Sequence, residues 1–247
     1  MKPFLSVIIP AYNEAKRLPT TLIDVDRVLS AADYSSEVVV VDDGSTDATR
    51  RIVHEFSRVM PNLRVMENDA RHGKGWVVRQ GMLAAKGNWR LFMDADNSTS
   101  LTHFAHMLPF LKDGYSVFIC SRRIKGSTMK PPQSLVKRLM GWLGNLFIQT
   151  VAAKGLWDTQ CGFKCFSEEA ADQIFRRACI DGFAFDVEVV ALARVLGYRI
   201  KEMPVQWVGD PQSKVRAMNY FRALFDVVRI AWKIRRGLYL QAQTPSP

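Results

Sequence analysis

Apolar residues in this chain come in short runs that stop abruptly at charged or turn-forming residues. Residues 5–9, 37–41, 64–67, 91–93 and 117–121 read as strands, too short for helices and bounded by polar positions. The near-continuous apolar character of the first is that of a strand buried on both faces. Helical patterns fall between them, over 19–30, 48–58 and from just after Arg71-His72-Gly73-Lys74-Gly75 to about Ala85. Pro19 suits a first helical turn, and Thr46 or Ser45 is expected to cap the helix over 48–58. Strand–helix alternation over the first 125 residues predicts an α/β, doubly wound sheet with one ligand crevice at the strands' carboxyl ends.

The second half is less regular. Residues 135–151 predict a helix with a broad apolar surface, 158–166 a loop entering a strand, and Ser167-Glu168-Glu169 the start of another helix. A helix over 186–196 ends at Gly197, and 199–207 is strand-like. Residues 216–236 predict a long amphipathic C-terminal helix. Its polar stripe is Arg222, Asp226, Arg229, Lys233 and Arg236, and the width of its apolar remainder points to burial or to a membrane surface.

Charge sharpens this picture. The chain has 247 residues and a net charge of +10, and no acidic residue lies between Asp113 and Asp158. Arg122, Arg123, Lys125, Lys130, Lys137, Arg138 and Lys154 all fall in that interval, a zone that attracts phosphates. Nucleic acid is supported by charge alone and is not expected as a partner. The four cysteines have no CxxC spacing and no nearby histidines, so they read as reduced structural residues. No apolar run reaches ~18 residues, so no spanning helix is expected, and Met1-Lys2-Pro3-Phe4 shows no signal-peptide pattern.

The candidate chemistry sits at the strand ends. Asp94 and Asp96 close the run 91–93, and two carboxylates there need a cation or donors to offset their repulsion and desolvation. Oxygen ligands of this kind suit Mg²⁺ or Mn²⁺, which leave positions for substrate phosphates; a polar strand-to-loop turn is the bland alternative. Asp42 and Asp43 are either solvated turn residues or, in the same crevice, acceptors for a nucleobase. Arg122 and Lys214 could hold a diphosphate. The dinucleotide fingerprint, the P-loop, the nucleophile elbow and zinc-helix spacings are all absent.

Pro10-Ala11-Tyr12-Asn13-Glu14, Val41-Asp42-Asp43-Gly44-Ser45, Gly73-Lys74-Gly75 and Asp94-Ala95-Asp96 are spaced as in family 2 glycosyltransferases, which have the GT-A fold. Asp158-Thr159-Gln160-Cys161-Gly162-Phe163-Lys164, Phe185-Asp186-Val187-Glu188 and Ser213-Lys214-Val215 resemble the dolichyl-phosphate β-glucosyltransferase branch. The resemblance implies a Rossmann-like mixed, mainly parallel sheet flanked by helices, in one domain over 1–236. Residues 1–125 would bind the nucleotide sugar, 126–236 would bind the acceptor, and 237–247 would be a polar tail. It further implies that Pro10, Tyr12, Glu14, Asp43, Lys74 and Asp94 serve the nucleotide, with Asp43 reading the base. Asp94 and Asp96 would hold Mg²⁺ or Mn²⁺, and Arg122 and Lys214 would neutralise phosphates. Asp158 and Asp96 are the candidates for catalytic roles, Asp158 as a base or as a positioning group. Asp186 and Glu188 could equally be solvated acids on a structural helix.

The implied reaction is inverting transfer of a hexose, glucose from UDP-glucose, to a polyprenyl or dolichyl phosphate. Its setting would be the cytoplasmic face of a membrane, held peripherally. Where related mannosyl enzymes place a Gln two residues after the second Asp, this chain has Ser98, which leaves any third metal ligand unassigned. A GDP-mannose donor, a non-lipid acceptor, a non-catalytic nucleotide-sugar or membrane-adaptor module and a homo-oligomer remain open at this level.

Overall fold

The computed structural model describes residues 2–131, 135–151, 153, 155–209 and 217–241. Its elements run β1 (Leu5–Ala11), α1 (Leu18–Ser30), β2 (Ser36–Asp42), α2 (Thr49–Ser57), β3 (Leu63–Glu67), α3 (Lys74–Ala84), β4 (Trp89–Met93), β5 (Val117–Ser121) and β6 (Thr128–Lys130). They continue with α4 (Leu135–Val151), β7 (Phe163–Ser167), α5 (Glu168–Phe175), α6 (Phe185–Val195), β8 (Ile200–Pro204), β9 (Gln206–Val208), α7 (Ala217–Arg235) and α8 (Leu238–Gln241).

Seven strands form one sheet in the order β3-β2-β1-β4-β7-β5-β8. All neighbours pair in parallel except β7, which runs antiparallel between β4 and β5. This is the mixed, mainly parallel architecture expected. Alternation at period two fills both faces. Ile8, Val39, Val41 and Phe92 join a core with α3, α5 and α6, while Val7, Ile9, Val38, Val40 and Leu91 join a second core with α1. On α1, Leu18, Leu22, Val25 and Leu29 form the buried stripe, and the proline lies in its first turn.

The chain winds outward from β1 through β2 to β3, then crosses back to place β4 on the other side of β1. That reversal opens a crevice at the carboxyl ends of β1 and β4. Met93 pairs with Phe163 across the antiparallel ladder, so the loop before β7 reaches the same edge. Ser121, the last residue of β5, and Arg122 lie at that edge as well.

Several expectations need correction. The strand over 199–207 is two strands: β8 lies in the main sheet and β9 pairs with β6 in a separate ribbon. The break falls at Val205, which is buried and whose carbonyl accepts from the Thr128 N–H. Neither Ser45 nor Thr46 caps α2. The N-cap position is Ala48, with no side-chain cap: Ser45 receives the Asn13 N–H, the Thr46 N–H donates to Asn13 Oδ1, and Asp47 accepts from the Thr49 N–H at 2.9 Å. The expected tail from 237 begins with the short helix α8, whose Tyr239 is buried.

Helix α7 turns Val227, Ile230 and Ala231 inward and leaves Leu224, Phe225, Val228 and Trp232 outside, so its wide apolar surface is two faces, one packed and one exposed.

Candidate active site

The crevice is built from the ends of four strands. After β1, Asn13 takes a left-handed conformation (φ 54°), which an Asn tolerates better than most residues. Its side-chain oxygen accepts from the Thr46 and Asp47 N–H groups at 2.8 and 3.3 Å, stitching the loop after β1 to the loop after β2. The Tyr12 ring is covered by the Arg71 guanidinium at 4.3 Å, Pro10 lies buried within β1, and the Glu14 carboxylate pairs with Arg17.

Asp42 and Asp43 are both buried, which overturns the solvated-turn alternative. Asp42 accepts from Arg50 Nε at 2.7 Å and from the Ser45 N–H at 3.0 Å, a structural role at the root of the loop. Asp43 accepts from the His72 and Gly73 N–H groups at 2.7 and 2.9 Å. It therefore fastens the segment that leads into Lys74, and each oxygen keeps a second lone pair.

Asp94 and Asp96 stand beyond β4. Lys74 Nζ pairs with Asp94 Oδ1 at 2.6 Å. Burial opposes the charge on Lys74, but Asp94 and Asp186 outweigh it and raise the pKa of the amine, so the ammonium persists at any ordinary pH. The far side of the Asp94 carboxylate lies against Gly162: a Cβ there would be 2.7 Å from Oδ1 and nearer still to Oδ2. Asp96 accepts from the Ser98 N–H at 2.9 Å, and its other oxygen is 4.0 Å from Arg17 Nη1. Ser98 Oγ is buried with no hydrogen-bond partner, while the Ser98 carbonyl accepts from the Val208 N–H and ties β9 to this loop.

Among the described residues no group of three or more His, Cys, Asp and Glu could hold a metal ion. Asp94 and Asp96 thus offer two carboxylates with the unpartnered Ser98 hydroxyl beside them, and the remaining positions would fall to substrate oxygens and water. That donor set fits Mg²⁺ or Mn²⁺, which bind through one or two carboxylates plus phosphates.

Arg122 and Asp158 do not stand apart as two separate site groups. Nε and Nη2 of Arg122 reach the two Asp158 oxygens at 2.7 and 2.9 Å, and the Arg122 N–H adds a third bond at 2.9 Å. Burial works against the Asp158 charge, but Arg122 outweighs it and holds the carboxyl below the usual carboxylate range. Glu202 fixes the same loop by accepting from the Trp157 and Asp158 N–H groups. Lys214 lies outside the described residues.

Three contributors escaped sequence reasoning. Lys164 is 0 % exposed, donates to the Cys161 carbonyl at 2.7 Å and pairs with Asp186. Glu188 is equally buried, which removes the solvated-acid alternative for it, and accepts from the Ile180 N–H at 2.9 Å and from the Tyr239 hydroxyl at 2.6 Å. Gly162 was part of a quoted motif without a role. The available signal was β7 itself: a strand covered on both faces puts Lys164 in the core, where it requires a carboxylate partner.

The mixed, mainly parallel sheet, with its crevice at the carboxyl ends of β1 and β4, is the GT-A fold. The chain belongs to glycosyl transferase family 2, whose family model matches residues 6–175.

The dolichyl-phosphate β-glucosyltransferase of Dictyostelium discoideum is 33% identical over 96% of this chain and 76% of its own length. The enzyme of the same name from Saccharomyces cerevisiae is 31% identical over 96% and 76%. Among solved structures, glucosyl-3-phosphoglycerate synthase from Mycobacterium tuberculosis with Mg²⁺ and UDP superposes with a TM-score of 0.65 at 18% identity, over 95% of this chain and 80% of that one. S. aureus TarS with UDP-GlcNAc gives 0.58 at 20%, over 93% and 66%.

Proposed function

We propose that this enzyme transfers glucose from UDP-glucose to a polyprenyl phosphate of the dolichyl type, with inversion at the anomeric carbon. The observation that carries the reading is likeness to the dolichyl-phosphate β-glucosyltransferases along nearly the whole chain, acceptor side included. In this reading an acceptor phosphate oxygen forms the bond to C1 as the bond from C1 to the diphosphate breaks, and UDP leaves with the electron pair. Asp94 and Asp96 would hold Mg²⁺ or Mn²⁺, which supplies charge stabilisation to the leaving diphosphate. Lys74 adds a fixed positive charge beside it. Pro10, Tyr12, Glu14 and Asp43 line the nucleoside end, with Asp43 accepting from the base. Residues 1–125 then serve mainly the donor and 126–236 mainly the acceptor, with Arg122 at the boundary reaching the acceptor phosphate.

Asp158 has a different role from a general base. A phosphate monoester has a second pKa near ~6, so the acceptor is already largely ionised at neutral pH. A carboxylate held by three hydrogen bonds from Arg122 is suited to orienting that arginine, whose remaining donors can meet the acceptor phosphate. Lys214, by resemblance, would neutralise a phosphate of donor or acceptor.

No helix among the described residues is long and apolar enough to cross a membrane. The exposed apolar side chains of α4 (Trp142, Leu146) and α7 (Phe225, Val228, Trp232), beside Arg229, Arg235 and Arg236, support peripheral attachment to the anionic cytoplasmic leaflet. The function is tested by incubating the protein with UDP- and GDP-sugars and a polyprenyl phosphate and extracting the product into organic solvent. UDP-glucose should give the lipid-linked sugar, and exclusive use of GDP-mannose would overturn the donor assignment.

A further inference from the structure

The glycines of Gly73-Lys74-Gly75 are explained by what they touch. A Cβ on Gly73 would lie 2.5 Å from the Asp181 carbonyl oxygen, and one on Gly75 would lie 2.7 Å from Phe185 Cβ and closer still to the Ile180 carbonyl oxygen. The Gly75 N–H donates to the Asp181 carbonyl at 2.8 Å. The first turn of α3 is therefore clamped against the chain that opens α6. Lys74 is the first residue of α3, and Asp186 is the second residue of α6.

Four charges alternate through this junction: Asp94, Lys74, Asp186 and Lys164. Lys74 pairs with Asp94 at 2.6 Å, and Lys164 pairs with Asp186. Aromatic rings lie beside both lysines. Lys74 Nζ is 5.7 Å from the Phe185 ring centroid, Lys164 Nζ is 5.1 Å from that of Phe92, and the two rings are 5.5 Å apart. Burial pushes the Asp186 carboxyl up, while Lys164 and Lys74 pull it back, so both lysines act on this one group.

Lys74 and a divalent cation compete for the same carboxylate. An ion arriving at Asp94 and Asp96 brings two positive charges beside an ammonium that already occupies Asp94. The ammonium must then leave for solvent, oppose the ion, or find another anion within reach. We propose that Asp186 is a positioning residue of the transfer site: fixed by Lys164, it takes over the Lys74 ammonium when Asp94 engages the divalent cation, keeping Lys74 beside the donor diphosphate. This rests on the assignment of Asp94 and Asp96 as metal ligands.

The test is Mn²⁺ binding to the full chain without nucleotide, read from the EPR signal of the free ion. Lys74→Gln should bind Mn²⁺ more tightly than wild type, because the competitor is gone. Asp186→Asn should bind it at least about fivefold more weakly, a coupling of the size expected for groups in one ionic network. In the Lys74→Gln background, Asp186→Asn should change the affinity by less than about twofold, because its effect runs through Lys74.

Asp186→Asn leaves Lys164 buried without a counter-charge, so Lys164→Met/Asp186→Leu is the second probe. It removes the buried pair without net charge change and should weaken Mn²⁺ binding as Asp186→Asn does, with the fold checked by thermal unfolding. Wild-type affinity in Asp186→Asn, or a weakening that persists without Lys74, overturns the proposal. Asp96→Asn separates the two assignments. If it abolishes Mn²⁺ binding, the metal site stands whatever Asp186 does; if wild type binds no Mn²⁺, or Asp96→Asn binds it equally, the metal site and the proposal fall together.

Discussion

Replacing Gly162 with alanine puts a methyl group inside 3.0 Å of the Asp94 carboxylate, where ordinary contact begins at 3.4 Å. The carboxylate cannot swing freely out of the way, because Oδ1 is held by Lys74 and the Asp94 N–H donates to the Gly162 carbonyl at 3.1 Å. Asp94 or the loop before β7 must therefore shift by several tenths of an ångström or more. Overpacking of this kind costs about 1–3 kcal/mol of stability. A misplacement of about 1 Å at a group that positions the reacting centre costs about 100-fold in rate, or roughly 2.7 kcal/mol of transition-state stabilisation. The expected variant is folded, melts a few degrees lower, and has lost about two powers of ten in kcat/KM for UDP-glucose. Gly144→Ala is the control, since a Cβ there meets nothing within 4 Å. The assay is steady-state transfer to a polyprenyl phosphate, alongside thermal unfolding. A folded Gly162→Ala enzyme with kcat/KM within about threefold of wild type would refute the idea that Asp94 works only in its present position.

Asp96→Asn should abolish transfer with an unchanged melting temperature, and wild type in excess chelator should match it; full turnover in either case sinks the metal assignment. The pKa of Asp158 is lowered in the folded state, so its pairing with Arg122 contributes stability above the unfolded-state value and loses it as pH falls through the folded value. Asp158→Asn should accordingly cost about 3–5 kcal/mol near neutral pH, as removal of one partner from a buried pair does, and should flatten the loss of stability in strong acid. Equal urea midpoints for the two proteins at pH 7 would contradict this. Wild type should float with anionic vesicles, less so in high salt and after charge reversal at Arg229. If it stays in solution, the exposed face, with Phe225 72 % exposed, serves another contact such as a second copy of the chain.

How far the fold could be read from sequence depended on whether a signal was local. Val38 to Val41 are buried on alternating faces of the sheet, so their continuous apolar run is a direct consequence of sheet position. The position of β7 has no such local signature. Its antiparallel insertion between β4 and β5 arises from pairings such as Leu91 with Cys165 and Phe118 with Cys165, which join distant parts of the chain. The cap of α2 was misread for a related reason. Ser45 and Thr46 both carry capping groups, but both are engaged by Asn13, more than thirty residues away, and the N-cap position falls at Ala48.

The site was legible where chemistry required a residue type and opaque where it required an absence of atoms. Acids at the ends of β2 and β4 announce themselves, since unpaired carboxylates at a crevice demand a cation or donors. Gly73, Gly75 and Gly162 do not, because what matters is the backbone or carboxylate that approaches where a Cβ would stand. Each lies at a seam between halves of the chain: the first two let α3 meet the opening of α6, and the third lets the loop before β7 meet Asp94. Lys164 belongs to the same seam. On β7, Phe163 and Cys165 face one core and Phe166 the other, so alternation sends Lys164 into the core that contains α6. A lysine there is tolerable only with an anion, and the element packed against it supplies Asp186. The charges around the crevice thus follow from strand register and helix docking together, which explains why a list of motifs could identify the acids yet assign no partner to Asp186.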